Sequence, residues 1–318
     1  MMDYKKLQRK LQVQKLIYKY PELFNHDKGG GSFDKYDSLI FVLKDGENNL
    51  FAGVKPAVLD YFKNNEIAWW GDDEKFPSGH MLSSQIQCLN FLFAIRKDEE
   101  AVLKLAQLFN EEIGAVFPVA GDKEPTYLAF EFVFDNKALL KEDDEGAKRG
   151  AFCTSVDAFL IAAKNGRKLL IPIEWKYTES YLAPQNKALE SRKGKTRQAR
   201  YNQLIYESNQ LKTPVDLEQS IYYFEPYYEL MRQTLLVEQM VGKGVADDFL
   251  HILVAPEANT DFLQKSYSFE EHGLIKTWEN HLEKPEKFIR VDSRQILNLL
   301  EQMPNYLALS KYLKLRYN

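Results

Sequence analysis

The chain has 318 residues, of which 45% are apolar and 13% aromatic, enough to bury a substantial core. Its two cysteines, Cys88 and Cys153, have no metal-type spacing, and its start, MMDYKKLQRK, lacks the apolar run of a signal peptide. No apolar run approaches the roughly 18 residues that span a bilayer. The net charge of -4 disfavours general affinity for polyanions, so nucleic-acid contact is expected only at a local patch. These features predict a cytoplasmic globular protein without a membrane segment.

Periodicity in the N-terminal half predicts several helices and strands. Helices are expected at 3–18, near 57–62, at 83–96 and at 98–112, the last with an Asp98 cap. Strands are expected at 38–43 and, from its aromatic and β-branched residues, at 127–134. The glycine-rich residues 28–32 predict a flexible loop, and the acidic residues 141–146 predict an exposed one.

The segment TSVDAFLIAAKNGRKLLIPIEWKYTES, residues 154–180, predicts two apolar strands joined by a turn. Asn165-Gly166 tolerates the positive φ of a type I′ turn, the usual two-residue connection of a hairpin. This short loop fixes the register and places Asp157 opposite Glu174. Lys176 shares a strand face with Glu174, because side chains two residues apart point to the same side. The hairpin is therefore expected to carry two acids and a lysine at one end.

Two opposed carboxylates in an apolar hairpin require compensation. With Cβ atoms about 5 Å apart, they repel by roughly 3 kcal/mol at an effective dielectric constant of about 20. A divalent cation offsets this repulsion, since Mg²⁺ is held by one or two carboxylates together with water. Lys176 alone, or protonation of one acid, offsets it as well, so a salt bridge at the sheet edge is an open alternative. A one-residue bulge would break the predicted register.

Beyond the hairpin, the sequence predicts a basic segment, two helices and a buried strand. Residues 187–200 hold six basic residues against one acid. Helices are expected at 196–211 and from Glu225-Pro226 to Gly242. The near-continuous apolar run FLHILVAP, residues 249–256, predicts a buried strand, and the C-terminal third is expected to be helical.

Asp157, followed after sixteen residues by Glu174-Trp175-Lys176, resembles the active-site motif of the PD-(D/E)XK nuclease superfamily. A closer resemblance, to a family of bacterial restriction endonucleases within it, rests on HMLSSQIQCLNFLF (80–93), TSVDAF (154–159), IEWKYTESY (173–181), YYELMRQTLL (227–236) and ILVAPEAN (252–259). The pattern [DE]xK occurs four times, but only the EWK copy lies in an apolar strand with an acid opposite. Val156 replaces the proline of the superfamily name, at a position that varies among members.

The resemblance implies an α/β restriction-endonuclease-like fold with a mixed sheet flanked by helices and the core order helix, three strands, helix, strand. These core elements correspond to helix 83–96, strand 127–134, the hairpin, a helix at 196–211 or 225–241, and strand 249–255. The expected organisation is an N-terminal helical extension at 1–75, a nuclease core at 76–260 and a C-terminal helical segment at 261–318, packed as one compact unit.

The resemblance also implies a metal-dependent active site. Asp157 and Glu174 would bind Mg²⁺, for which Mn²⁺ can substitute, with the main-chain carbonyl of Trp175 as a third ligand. Lys176 would orient the attacking water or help to deprotonate it, and would neutralise the charge that develops on the phosphate. A phosphodiester would be hydrolysed by in-line attack.

Further residues are candidates for the site, each with a structural alternative. Glu131 either contacts a metal ion or a water molecule or forms a salt bridge with Arg149 or Lys176. Ser84 and Gln85 either approach the metal or a phosphate or lie at a helix terminus as capping and solvated residues.

The basic segment is a candidate for nucleic-acid contact. Its cations, which either bind DNA phosphates or are only solvated, are Arg192, Lys193, Lys195, Arg197 and Arg200. Arg232 and Gln233 are expected to anchor helices rather than to reach phosphate. The five histidines show no metal-ligand spacing and receive no catalytic role.

The sequence thus predicts a Mg²⁺-dependent endonuclease that cleaves DNA as a restriction or defence enzyme. A repair or recombination nuclease would share the same residues, and a nucleic-acid-binding protein of this fold without turnover is a third hypothesis. A scaffold whose hairpin acids form only salt bridges is the fourth. DNA is the expected partner, and a homodimer or a partner methyltransferase would fit restriction.

Overall fold

The structure of the protein is a computed structural model that describes residues 3–71, 73–120, 126–143, 146–181 and 185–318. Its helices are α1 (Tyr4–Gln14), α2 (Lys55–Asn64), α3 (Ser84–Leu92), α4 (Glu99–Phe109), α5 (Asn136–Leu140), α6 (Ser191–Glu207), α7 (Tyr227–Gly242), α8 (Thr260–Leu263), α9 (Leu274–Asn280), α10 (Ser293–Glu301) and α11 (Leu307–Tyr317). Its strands are β1 (Gly31–Phe33), β2 (Tyr36–Leu39), β3 (Ile113–Phe117), β4 (Ala129–Phe132), β5 (Val156–Lys164), β6 (Arg167–Trp175), β7 (Asp248–Phe249), β8 (His251–Val254) and β9 (Phe288–Val291). No helix among these described residues is long and apolar enough to cross a membrane.

A mixed sheet forms the centre of the molecule. β3 and β4 both pair antiparallel with β5, and β5 pairs antiparallel with β6. On the other side of β6, the two short strands β7 and β8 run parallel to it, and β9 runs parallel to β8. The prediction of an α/β fold with a mixed sheet is confirmed, whereas the superfamily core order and the domain boundaries remain predictions.

The hairpin of β5 and β6 has the predicted turn and register. Asn165 and Gly166 have φ values of 51° and 77°, as a type I′ turn requires. The ladder runs from Lys164 paired with Arg167 to Ala158 paired with Ile173 without a bulge. The local turn chemistry therefore sets the pairing along the whole hairpin.

Helices cover both faces of the sheet and enclose two hydrophobic clusters. The first face presents Leu160 and Ile173 to a cluster formed with α2, α3, α4, α10 and α11. The second face presents Phe159 and Leu170 to a cluster formed with α5, α6, α7, α8 and α9. Side chains that alternate along each strand thus supply both layers, which explains the near-continuous apolar sequence of the hairpin.

Several predicted elements require correction. The helix at 98–112 is shorter, because β3 begins at Ile113, and the strand expected at 38–43 is β2, at Tyr36–Leu39. The N-terminal and C-terminal extensions are not purely helical, since they contain the β1–β2 pair and β9. These strands have only three to five residues each, too few for a period-two pattern to emerge from the sequence.

Two further corrections concern charged segments. α6 begins at Ser191 rather than at Thr196, so the basic residues of the run other than Lys187 lie within the first turns of a helix. Glu142, in the loop expected to be exposed, is 3% exposed, and both of its carboxylate oxygens accept hydrogen bonds from Thr154. Glu142 is buried because partners distant in the sequence surround it, and a local sequence pattern cannot predict such partners. Residues 144 and 145 of the same loop lie outside the described residues.

Arg316 joins the two ends of the chain. Its side chain is fully buried and Nη1 donates to the Asn49 carbonyl and to Tyr312 Oη, both at 2.5 Å, while Nη2 donates to Asn49 Oδ1. Its main-chain carbonyl accepts hydrogen bonds from Gln12 Nε2 at 2.9 Å and from Lys15 Nζ at 2.7 Å. α1 and α11 are therefore held together by buried polar contacts.

We expect Arg316→Met to lower the free energy of unfolding by on the order of 3 kcal/mol, because it removes three buried hydrogen bonds and leaves Asn49 Oδ1 without its donor. Lys314→Met is the matched control on the same helix. The Lys314 side chain is 60% exposed and pairs with Glu301 at the surface, so its loss should change stability by about 0.5 kcal/mol or less. Denaturant unfolding of the two variants checks this, and equal effects would contradict it.

Candidate active site

Three acids lie opposite one another on three adjacent strands. The pairs Phe130–Ala158 and Phe132–Val156 flank Glu131 of β4 and Asp157 of β5, which therefore stand opposite each other. The β5–β6 register, continued by one residue beyond its last pair, places Asp157 opposite Glu174. The sequence predicted the second of these contacts, and Glu131 extends the pair to a row.

Glu131 interrupts the regular alternation of β4. Its φ is 47°, a conformation that a glutamate rarely adopts in a strand. Phe130 packs in the first hydrophobic cluster and Phe132 in the second, with Ala129 also in the second. A local distortion of this kind is frequent where a strand supplies a functional side chain.

The acid row opens into a cavity of about 450 Å³ at the end of the sheet. Helices on both faces contribute to its walls, Ser84 and Gln85 from α3 and Glu229 and Gln233 from α7. Lys5, Phe33 and Trp70 from the N-terminal extension also line it. Glu131 and Glu174 are only 7% and 4% exposed, so their charges lie largely out of water.

Lys176 is the cation at the centre of this cavity. Its Nζ lies 2.5 Å from Glu174 Oε1 and 2.6 Å from Glu229 Oε2, and the side chain is nearly buried. Burial alone would lower the pKa of Lys176, but Glu174 and Glu229 outweigh it and raise that pKa well above its ordinary value. Lys176 is therefore a permanent cation at neutral pH.

The acids of the row retain unfavourable electrostatics despite this lysine. Burial, and then the charges of Glu174 and Glu131, raise the pKa of Asp157 well above its ordinary value. Burial also raises the pKa of Glu174, against the opposing effect of Lys176. The pKa of Glu131 is raised by burial too, although hydrogen bonds to its carboxylate oppose the change. One lysine thus does not compensate the three carboxyl groups of the row.

The start of α3 orients Glu131. Ser83 caps the helix, accepting a hydrogen bond from the Ile86 amide, and this leaves Ser84 and Gln85 in the first turn facing the cavity. Gln85 Nε2 donates to Glu131 Oε1 at 2.6 Å, and Gln85 Oε1 accepts from the Trp70 amide at 2.9 Å. Gln85 is therefore brought to the site, while Ser84 only lines the cavity.

A chain of buried polar groups orients Glu174 from the opposite side. Gln233 Nε2 donates to Glu174 Oε2, and Gln233 Oε1 lies 3.0 Å from His251 Nε2. Thr234 Oγ1 lies 3.1 Å from His251 Nδ1, and burial lowers the pKa of His251 to about 3. The neutral ring therefore accepts from Thr234 and donates to Gln233, which fixes the amide with its NH₂ group toward Glu174.

Sequence analysis missed Glu229 and the role of Gln233. The two residues lie four apart in α7, and this i, i+4 spacing places them on one face of the helix. This spacing is visible in the sequence and predicts that the two side chains lie together on the helix, but it does not predict which strand that helix face contacts. Glu229 also accepts a hydrogen bond from Tyr181 Oη at 3.0 Å.

Residues 10–318 match the model of a protein family described as "REase-ARP: Restriction Endonuclease associating with ARP". The chain belongs to the REase-ARP family. Since the match includes every strand of the central sheet, it confirms the resemblance to restriction endonucleases. A search of curated proteins gave no match to the chain. A search of solved structures gave none either.

The donor set of this REase-ARP protein fits a hard divalent cation in part. Asp157 Oδ2 accepts from the Trp175 amide at 2.7 Å, and no contact among the described residues engages Oδ1. The oxygens of Glu174 face Lys176 and Gln233, which a cation would have to displace or share. Within the described ranges, no group of three or more His, Cys, Asp or Glu residues has metal-site geometry. Two carboxylates nevertheless suffice for Mg²⁺, which retains several water ligands.

The side chain of Trp175 has a structural role. It is fully buried, and its Nε1 donates to Gln87 Oε1 of α3 at 2.9 Å. It also packs against Phe91, with ring centroids 5.2 Å apart. These contacts anchor the strand end that carries Glu174 and Lys176, while metal binding by the Trp175 carbonyl remains a prediction.

The residues that line the cavity of the acid row do not include the basic run. Three of its cations are exposed on α6: Arg192, Lys193 and Lys195. Arg197 Nη1 lies 2.6 Å from Glu190 Oε2, and Arg200 Nη2 lies 3.7 Å from Asp143 Oδ1. The run therefore divides into solvated cations and cations that also stabilise the fold.

We expect Asp157→Asn to stabilise the metal-free protein at neutral pH, by on the order of 1 kcal/mol. Asparagine can still accept the hydrogen bond from the Trp175 amide, but it carries no charge. The pKa of Asp157 is higher in the folded protein than in the unfolded chain, so protonation of this carboxyl stabilises the folded state. This stabilisation is complete at pH values below the pKa of the unfolded chain, and it is lost as the pH rises through the pKa of the folded protein.

Urea unfolding in EDTA between pH 5 and 8 measures this difference. The gain from Asp157→Asn should grow with pH across that range. Asp60→Asn, at an exposed position of α2, is the control and should give no such trend. A metal-free Asp157→Asn protein that is less stable than the wild type at pH 8 would refute the electrostatic argument.

Proposed function

We propose that the protein is a Mg²⁺-dependent endonuclease that hydrolyses DNA phosphodiester bonds, and that it acts as a restriction or defence nuclease. The observation that carries the proposal is the hairpin register, which places Asp157 opposite Glu174, together with the contact of Lys176 with Glu174. The acid row carries more negative charge than Lys176 compensates, and this favours the binding of a cation. A bound cation would reduce the repulsion between the acid row and the negatively charged phosphodiester. Membership of a restriction endonuclease family supports this chemistry.

The metal-binding part of the proposal assigns Asp157, Glu174 and the Trp175 carbonyl as ligands, with Mn²⁺ able to substitute for Mg²⁺. A bound divalent ion would polarise the phosphoryl oxygen and lower the pKa of a bound water. Gln233 and His251, both buried, hold Glu174 in place for this role. Ligand orientation of this kind commonly determines metal affinity.

Lys176 acts in this proposal as a fixed positive charge. We assign it to orient the attacking water and to neutralise charge on the phosphate, because its ammonium group is held beside Glu174. Glu229 holds the ammonium group from the opposite side. Glu131, held by Gln85 and Ser155, is assigned to accept a hydrogen bond from the attacking water.

DNA would be bound partly through α6, where Arg192, Lys193 and Lys195 are exposed and close in sequence to the active strand. The family description also names an association with ARP, and we include such a partner in the proposal. A homodimer and a partner methyltransferase remain predictions.

We expect the wild type to cut plasmid DNA with Mg²⁺ or Mn²⁺, and Asp157→Ala and Lys176→Ala to lower the rate by about 10²-fold or more. Lys164→Ala is the control, because Lys164 lies at the opposite end of the same hairpin, where its Nζ is 2.5 Å from Glu112 Oε2. Discrete fragments would indicate site-specific restriction, whereas a preference for branched or damaged DNA would indicate repair or recombination. Absence of cutting by well-folded wild type would exclude the nuclease.

Thermal melting tests metal binding separately from turnover. Mg²⁺ or Mn²⁺ at 100 times its dissociation constant should stabilise the wild type by about 2.7 kcal/mol and leave Asp157→Asn unchanged. A shift in melting without DNA cleavage would favour a non-catalytic binding protein. No shift at matched ionic strength would favour a scaffold in which Lys176 and Glu174 form only a salt bridge.

A further inference from the structure

A second cavity of about 540 Å³ lies between α6 and α7, next to the catalytic cavity. The two cavities share Phe152, Cys153 and Arg232 in their walls. They are therefore adjacent, and these three residues border both of them. A volume of this size is typical of a site for a small polar ligand or a segment of a larger one.

The wall of the second cavity is strongly cationic. Its cations come from α6, α7 and the segment that precedes α6: Lys187, Lys193, Arg197, Arg200 and Arg232. Glu142 and Glu225 are the acids of the same wall. Glu190 pairs with Lys187 and Arg197, and Asp143 lies 3.7 Å from Arg200, so Lys193 and Arg232 are the cations of the wall for which the described residues provide no salt bridge.

Among the described residues, neither acid of the wall forms a salt bridge with Lys193 or Arg232. Glu142 already accepts hydrogen bonds from Thr154, from Asn136 Nδ2 at 2.9 Å and from Tyr201 Oη at 2.6 Å. Burial, assisted by Glu229, raises the pKa of Glu225 to about 7, so its carboxyl is only partly ionised near neutrality. Lys193 and Arg232 are therefore available to pair with an added anion.

Arg232 has unused hydrogen-bond donors where the cavities meet. Of its five N–H groups, the described contacts engage one, from Nη1 to Thr154 Oγ1 at 3.2 Å. Its Nε is buried and has no partner among the described residues. The guanidinium lies over the Tyr228 ring, 4.8 Å from its centroid, which holds its plane in position.

We infer that the cavity between α6 and α7 is an anion subsite that holds a phosphate group of the bound strand next to the phosphate being cleaved, with Arg232 as its central ligand. The planar guanidinium suits phosphate because two parallel N–H groups reach two oxygens. That the strand is DNA rests on the proposed function, whereas the affinity for phosphate does not. The phosphate is either an internal phosphodiester or a terminal phosphate group.

The first experiment measures melting of the metal-free protein in inorganic phosphate against chloride of equal ionic strength. Phosphate should stabilise the wild type, Lys176→Ala and Lys195→Gln, and should have little effect on Arg232→Gln or Lys193→Gln. Lys193 and Lys195 are exposed cations on the same helix, and only Lys193 lines the cavity. Equal stabilisation of all variants, or none of the wild type, would overturn the subsite. If Arg232→Gln does not fold, the comparison of Lys193 with Lys195 decides.

The second experiment measures DNA binding in EDTA, where no metal-dependent cleavage occurs. Lys193→Gln should reduce the slope of log affinity against log salt by about 1, the value of one phosphate contact. A requirement for a 5′-phosphate on linear DNA would identify a terminal phosphate, and equal binding of closed circular DNA would identify an internal one. An unchanged slope in Lys193→Gln would contradict the subsite.

These outcomes separate the subsite from the nuclease. A wild type that cuts no DNA but is stabilised by phosphate, with the stabilisation lost in Arg232→Gln, would refute the proposed function and support the subsite. A wild type that cuts DNA but shows no phosphate effect would refute the subsite alone.

Discussion

The electrostatics of Glu131, Asp157 and Glu174 constrain the rest of this structure. Buried carboxylates on adjacent strands repel one another, and Lys176 compensates only part of their charge. The register of the hairpin holds them together, and it is fixed by the Asn165-Gly166 turn at the far end. A slip of one residue would turn Asp157 to the opposite face of the sheet, so the turn determines whether the acid row exists.

The two helical layers hold the row in place without neutralising it. α3 reaches Glu131 through Gln85, and α7 reaches Glu174 through Gln233, so the groups that orient the acids are uncharged amides. Neutral donors fix the positions of carboxylates while leaving their negative charge available to a cation. A fold selected only for stability would have replaced an acid or added a cation. The retained negative charge lowers the stability of the fold, as is common where a function requires an unfavourable arrangement of side chains.

The sequence was sufficient for features that local chemistry determines. The Asn-Gly turn, the Asp98 cap and the facing of Asp157 and Glu174 each depend on residues close together in the chain. The roles of residues that depend on partners distant in the chain were not predicted from the sequence. Glu142 is buried through Thr154 and Tyr201, and His251 acts only through Gln233, so neither has a local signal. β3 and β9 are edge strands too short to show their own periodicity.

α7 separates two environments of opposite charge, because neighbouring residues on a helix point about 100° apart. Gln233 faces the acid row, and Arg232, one residue earlier, faces both cavities. Without a cation, the acid row repels a phosphodiester, whereas the wall formed by α6 and Arg232 attracts one. A DNA strand would then be bound by the cationic cavity before a metal ion compensates the charge of the acid row. Different side chains would therefore provide the affinity for DNA and the metal-dependent chemistry. This division explains how a site dominated by buried acids could accept a polyanion.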